Sequence, residues 1–299
     1  MPDSPAVRLE RARTSLEGLS VGDAFGGYAH GERVTRRLLL EAPWHFTDDT
    51  MMALSIVWVL RTHKMIDQDA LALDFAAHYD KTRGYGPAMR KLLPALFLGA
   101  DWRIESKKLF KGEGSLGNGG AMRIAPLGGY FADDLALLVE QARLSCEITH
   151  AHPEGIAGAI GVAVAAAMAY QARVNAVKPK RAAFIDQILP HLPDSAVRER
   201  TRKARDLAPM AIRQVVEHIG NGGNITATDT VPYCLFCAGE YLDNYEEALW
   251  FTANGGGDID TNCAIVGGIV ALYTGIEGIP AEWRSRREPL PEWPFTESA

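Results

Sequence analysis

Residues 155–170 read GIAGAIGVAVAAAMAY, sixteen positions without a charge. In water such a run is stable as a helix buried on every side, so other elements must surround it. Gly and Ala dominate it, which lets neighbouring backbones come close. It is shorter than the roughly 20 residues a bilayer span needs, and we read it as the centre of a helical core. The rest of the chain supplies partners. Apolar residues at helical spacing predict further helices over 8–19, 51–63, 69–78, 134–146, 182–189, 208–219, 245–252 and 263–273, with 156–172 as the central one. No segment alternates apolar and polar residues between turn signals. The expected fold class is all-α: a single compact orthogonal multi-helix domain over residues 1–299.

Composition narrows the functional classes. Hydrophobic residues make up 47% and charged residues 23%, which excludes a disordered chain, a fibrous repeat and a coiled coil. Acidic residues outnumber basic ones, 37 to 31, so no nucleic-acid binding is expected. Residues 177–206 are locally basic, eight Lys/Arg against four Asp/Glu, and read as a solvated helical face. Four cysteines are too few for a disulfide scaffold. Cys234 and Cys237 lack the second pair a zinc site needs and fall on one face of a buried helix. The first eighteen residues hold no apolar run, so no leader is expected. The expected location is cytoplasmic, without membrane association, and the expected state is a monomer.

Two acidic clusters each open an apolar helix. Thr47-Asp48-Asp49-Thr50 precedes MMALSIVWVL, and Gly255-Gly256-Gly257-Asp258-Ile259-Asp260-Thr261 precedes NCAIVGGIVALY. Helix capping would explain either one, because Thr or Asp at the N-cap and acids in the first turn satisfy free N–H groups. The pair also fits a metal site. Asp and Thr offer oxygen alone, which hard divalent cations prefer. Four carboxylates gathered between apolar helices would repel one another without such cations. Consecutive Asp48 and Asp49 diverge by about 100° on a helix and can face different ions. Spacing does not show that the two clusters meet.

Residues 112–128, GEGSLGNGGAMRIAPLG, contain a formal GxGxxG at Gly112, Gly114 and Gly117. No βαβ pattern surrounds it and no acid follows at about 20 residues on a second strand; the Gly-Lys-Ser/Thr of a P-loop is also absent. Two readings stay open. The segment is a flexible turn, or its exposed N–H groups, with Ser115 and Asn118, hold a diphosphate.

Taken together, these residues resemble the ADP-ribosylglycohydrolase family. The carriers are Gly22-Asp23-Ala24-Phe25-Gly26, Thr47 to Thr50, Gly117-Asn118-Gly119-Gly120-Ala121-Met122-Arg123, Thr149-His150 and Gly256 to Thr261, in the family's order. Arg83-Gly84-Tyr85-Gly86 and GEGSLGNGGAMR are most similar to the branch that removes ADP-ribose from serine and trims poly(ADP-ribose). The resemblance implies an all-α fold with two magnesium ions, or manganese, at the bottom of a cleft. Their implied ligands are Thr47, Asp48, Asp49, Asp258, Asp260 and Thr261. Substrate would lie against Gly114, Ser115, Leu116, Gly117 and Asn118, with His150 beside the diphosphate and Tyr85 on the neighbouring motif. Phe110 would meet adenine, where Leu116 replaces a second aromatic ring.

The resemblance also implies a reaction: metal-assisted cleavage at the anomeric carbon of the distal ribose, through an oxocarbenium-like transition state. The substrates would be ADP-ribosylated proteins or ADP-ribose-containing small molecules. The branch places its catalytic Glu where this chain has His30, and the nearest acid is Glu32. These two are the candidates for proton transfer, ahead of Glu41. Three other readings compete: an arginine-specific ADP-ribosyl hydrolase, a magnesium-dependent phosphohydrolase that would release AMP, and a catalytically weak ADP-ribose-binding protein.

Overall fold

The computed structural model describes residues 3–296. Among these residues every regular element is helical; two isolated bridges occur, Trp44 with Arg287 and Gly117 with Thr226, and there is no strand. The central helix runs from Pro153 to Val174, and His152 opens it by accepting from the Glu154 amide. At 22 residues it is long and apolar enough to cross a membrane, so the length argument from the sixteen-residue run does not hold. Burial is what characterises it: 78% of its apolar window is covered by the surrounding helices.

Two helices that carry the site form an antiparallel pair, Pro5–Gly26 against Ile259–Thr274. Gly18 meets Ala271, Gly22 meets Cys263 and Gly26 meets Asp260. Glycines four apart lie on one helix face, and without side chains they let the two backbones touch. A Cβ built on Gly22 would lie 2.1 Å from the Cys263 carbonyl oxygen, and one on Gly26 would lie 2.6 Å from Asp260 Cα. The pairing therefore sets the second acidic cluster directly against the end of the first helix.

Beside this contact Phe25 stacks on Trp283 with centroids 4.6 Å apart, and the edge of Trp250 reaches it at 4.8 Å. Trp283 belongs to the C-terminal segment, which continues alongside residues 44–46. There the Trp44 amide donates to the Arg286 carbonyl, and the Glu288 amide donates to the Trp44 carbonyl. Further on, Trp293 stacks on His78 at 3.7 Å.

Four longer helices lie outside the nine predicted from apolar spacing, although the cysteine pair and the basic segment already pointed to helix within two of them. Met89–Phe97 and Ala227–Glu240 each contain a proline, Pro94 and Pro232, which hides the helical signal. Ala196–Asp206 buries only Val197, Thr201 and Ala204, a helical spacing obscured by charge. Trp102–Gly112 ends in non-helical backbone at Leu109, Phe110 and Lys111. The helix expected over 208–219 starts at Ile212, because Pro209 disfavours helical backbone just before it. Charges of the basic segment are neutralised locally, as in Lys178–Asp243, Arg181–Glu240, Arg202–Glu199 and Arg205–Asp186.

Candidate active site

The helix Asp48–His63 begins at a site built by three segments. Elsewhere Ser4, Asp67, Asp101, Asp134, Ser195 and Asn244 cap their own helices. Thr47 and Asp258, the N-caps of the two acidic-cluster helices, make no such bond. Asp23, completely buried on the first helix, does this work for the first cluster. It accepts from the amides of Thr47 and Thr50 and from both of their hydroxyls, at 2.6 to 3.1 Å. Thr47 Oγ1 also lies 2.7 Å from Asp49 Oδ2. Self-capping is thus not what the clusters are for.

Asp48, Asp49, Asp258, Asp260 and Thr261 all line one cleft of about 450 Å³, so the structure brings the two clusters together. Thr47, half-buried, is not among the residues that line it. Asn118 Nδ2 donates to Asp258 Oδ2 at 2.7 Å and to the Thr230 hydroxyl at 3.1 Å, which fixes that carboxylate. Burial, reinforced by Asp260, raises the carboxyl of Asp23 to about 7. Asp48 rises to about 8 through burial and the charges of Asp23 and Asp260. Asp49 is pushed well above the carboxylate range by burial and the same neighbours. Asp258 rises to about 6 by burial and Asp260. Asp49 Oδ1 is buried with no hydrogen-bond partner.

That donor set fits a hard cation. It is all oxygen, its charges repel, and one of its buried oxygens is orphaned. No three His, Cys, Asp or Glu side chains among the described residues converge into a ready-made cage. A bound ion would therefore also draw on threonine hydroxyls and water, as magnesium commonly does.

The glycine loop forms the opposite wall. It is held by Ala227, whose amide donates to the Leu116 carbonyl, and by Ile225, whose carbonyl accepts from the Asn118 amide. Ser115 Oγ accepts from the Gly117 amide at 3.2 Å. The amides of Ser115, Leu116 and Gly119 find no acceptor among the described residues, leaving N–H groups for an anion. His150 closes the loop from behind; burial and then the Arg123 charge push its pKa down to about 3. Phe110 and Ile225, each 60% exposed, supply apolar surface, and both have positive φ, at 52° and 56°. A β-branched residue in that region is strained, and strain of this kind gathers at binding sites.

Other sequence candidates stand apart from the cleft. Gly114 packs beneath the loop against His152, with φ of 78°. Tyr85 is buried, while its neighbours Gly84 and Gly86 line the cleft. Glu32 and His30 do not line it. Glu32 is 87% exposed and faces Arg36 at 3.8 Å, because Gly31, with φ of 59°, starts a short outward-facing helix, Glu32–Arg36. Sequence reasoning quoted Asp23 within a motif without giving it a role, and it missed Ile225 and Met89. Asp23 could have been found from its place one turn before Gly26; Ile225 carries no sequence signal of its own.

The sequence profile of the ADP-ribosylglycohydrolases matches residues 4–296. The chain belongs to the ADP-ribosylglycohydrolase family. This ADP-ribosylglycohydrolase is 30% identical over 331 residues to the ADP-ribosylhydrolase ARH3 of Xenopus tropicalis, covering 95% of this chain and 92% of that one. Identity to the Homo sapiens ARH3 is 29% over 336 residues, covering 95% and 90%. An uncharacterised protein of Archaeoglobus fulgidus is 28% identical over 296 residues, covering 92% and 90%. A solved structure described as an ADP-ribosylglycohydrolase-related protein complex has the same fold, with a TM-score of 0.63 at 24% identity over 94% of this chain and 93% of that one. As an ADP-ribosylglycohydrolase the protein is a glycosidase whose family acts on ADP-ribosylated substrates.

Proposed function

We propose that the protein hydrolyses the O-glycosidic bond between ADP-ribose and serine, or trims poly(ADP-ribose), at the anomeric carbon of the distal ribose, with two magnesium ions. The observation that carries this reading is the orphaned Asp49 Oδ1 within an all-oxygen cluster, opposite a loop of free amides. The resemblance of residues 83–86 and 112–123 to the serine-acting branch supports the linkage. Asp48, Asp49, Asp258, Asp260, Thr261 and Thr47 would hold the ions, and manganese suits the same donors. Bound magnesium would coordinate ribose hydroxyls, orient the sugar and, as a Lewis acid, stabilise negative charge on a coordinated oxygen.

The protein's own groups then have separate tasks. Amides of Ser115, Leu116 and Gly119 bind phosphate oxygens. Phe110 and Leu116 receive the base. Asn118 keeps Asp258 aimed at the cluster. Proton transfer to the departing seryl oxygen falls to Glu32, with His30 as the second candidate. Their loop follows Gly26, which packs on Asp260, and the Tyr28 hydroxyl accepts from the His45 amide at 3.4 Å, so it starts beside the cluster. No atom lies within 4 Å of where a Cβ on Gly31 would stand, so nothing there packs against the turn that carries Glu32. The exposure of Glu32 favours one further reading, an ADP-ribose-binding protein with weak turnover.

A product assay separates these. Serine- and arginine-modified peptides are offered with magnesium, and products are read by mass spectrometry. Free ADP-ribose from the serine peptide is expected. Release from the arginine peptide alone moves the protein to the N-glycosidic reaction, AMP shows diphosphate cleavage, and binding without product supports the weak-turnover reading. Glu32→Gln is expected to lower kcat by about a hundredfold or more while ADP-ribose still binds; an unchanged kcat removes Glu32 from the mechanism.

A further inference from the structure

His150 stands at the end of a buried chain of polar contacts that has no part in the reaction as described. Arg123 is fully buried, with its guanidinium 4.6 Å from the centre of the Phe75 ring. Its Nη2 donates to Thr149 Oγ1 at 2.9 Å and to the Ser145 carbonyl at 3.1 Å. Thr149, also fully buried, has its Oγ1 2.8 Å from His150 Nδ1. A guanidinium can only donate, so the Thr149 oxygen accepts from Arg123 and its single hydrogen remains for Nδ1. A hydrogen on Nδ1 would confront the hydroxyl hydrogen or leave it stranded where no water reaches. The imidazolium carries that same Nδ1 hydrogen, beside a second buried cation.

We infer that Arg123 and Thr149 hold His150 as the neutral tautomer protonated on Nε2, so that the histidine which the family resemblance sets beside the diphosphate meets it as a hydrogen-bond donor. His150 lines the cleft, and Nε2 bonds to no protein acceptor among the described residues. A Cβ on Gly117 would lie 3.3 Å from Nε2 and one on Gly119 would lie 2.8 Å away, so the two glycines keep this nitrogen open. The opposite tautomer would present a lone pair to the anion. His150 is thereby a fixed donor rather than a proton shuttle, and Arg123 and Thr149 are positioning residues that act through it. The diphosphate as acceptor rests on the proposed function; the tautomer does not.

The test uses the whole protein labelled with nitrogen-15 at histidine. His150 is assigned by difference from His150→Gln, and ADP-ribose binding is measured by calorimetry on the same samples. The expected wild-type spectrum has Nε2 protonated and Nδ1 bare. Thr149→Val is expected to mix the tautomers and weaken ADP-ribose binding about tenfold, the loss of one hydrogen bond to a charged group, with Thr149→Ser restoring both. A wild-type Nδ1–H overturns the inference without any variant. Thr149→Val with an unchanged spectrum, or with mixed tautomers and unchanged affinity, overturns it too. A wild-type protein that binds no ADP-ribose defeats the proposed function and the diphosphate acceptor with it, and the spectrum alone then decides the tautomer.

Discussion

Asp23 and Asp49 are both fully buried carboxylates, yet their surroundings differ. Asp23 accepts from two amides and two hydroxyls, while Asp49 keeps one oxygen without a partner. Burial and mutual repulsion raise Asp23 to about 7, Asp48 to about 8 and Asp258 to about 6, against 3.8 for an ordinary aspartate. Without cations the folded protein therefore binds these protons more tightly than the unfolded chain does. The stability they contribute is complete below the ordinary aspartate value of 3.8, falls as pH rises above it, and is fully lost once pH has passed the folded values of about 6 to 8. A divalent cation requires the ionised forms and offsets that loss. Magnesium at about a hundred times its Kd is expected to stabilise the protein by about 2.7 kcal/mol, and the gain in Tm should be larger at about pH 8 than at about pH 5. Asp49→Asn should abolish that gain and leave the metal-free Tm at about pH 8 equal or higher, since it removes a repelling buried charge. Differential scanning calorimetry across pH, with and without magnesium, checks both. A gain that is larger in acid would contradict the role given to the cluster.

At the scale of elements, the sequence leaves capping and metal binding equally open for the two acidic clusters. The difference lies in contacts from distant residues: Asp23 caps the first cluster's helix from outside, and Asn118 engages Asp258. Neither partner lies near its cluster in the chain, which is why spacing alone could not choose. Helices rich in apolar residues were legible, whereas Pro94 concealed one, and Pro232 and the charges of 196–206 concealed the extent of two whose helical faces were read from the cysteine pair and the basic segment. The family resemblance led to Glu32, but the backbone at Gly31 turns that residue outward, and spacing carries no information on that turn. The glycines on the first helix are a further element-scale device. In Gly22→Ala the new methyl would meet backbone rather than a movable side chain, so the helix pair must separate. A loss of about 1–3 kcal/mol or more is expected, together with weaker magnesium binding, since the neighbouring Gly26 sets Asp260. Gly86→Ala has nothing within 4 Å of its new methyl and serves as the control, with stability unchanged. Urea unfolding of both variants measures the difference; equal midpoints would remove the close helix contact from the account.

Over the whole molecule, the first acidic cluster depends on a residue about 240 positions away, a link no local pattern encodes. Glu288, in the C-terminal segment, accepts from the Phe46 amide at 3.0 Å, contacts His45 Nδ1 at 3.0 Å and pairs with Arg83. Arg83 in turn donates to the Phe46 carbonyl at 2.9 Å, and its own carbonyl accepts from the Asp48 amide at 2.7 Å. One carboxylate thus braces both chain segments that lead into Thr47 and Asp48, without lining the cleft itself. Groups that orient metal ligands in this way commonly change metal affinity by about tenfold to a hundredfold when removed. Glu288→Ala is expected to weaken magnesium binding by that order, and Glu288→Gln less, because an amide oxygen can still accept from Phe46. Glu282→Ala, which removes only an exposed pair with Arg286, should leave binding unchanged. Calorimetric titration of the three variants with magnesium gives the comparison directly. Wild-type affinity in Glu288→Ala would mean that the cluster holds its shape through Asp23 alone, and that the C-terminal segment contributes packing through Trp283 and nothing to the site.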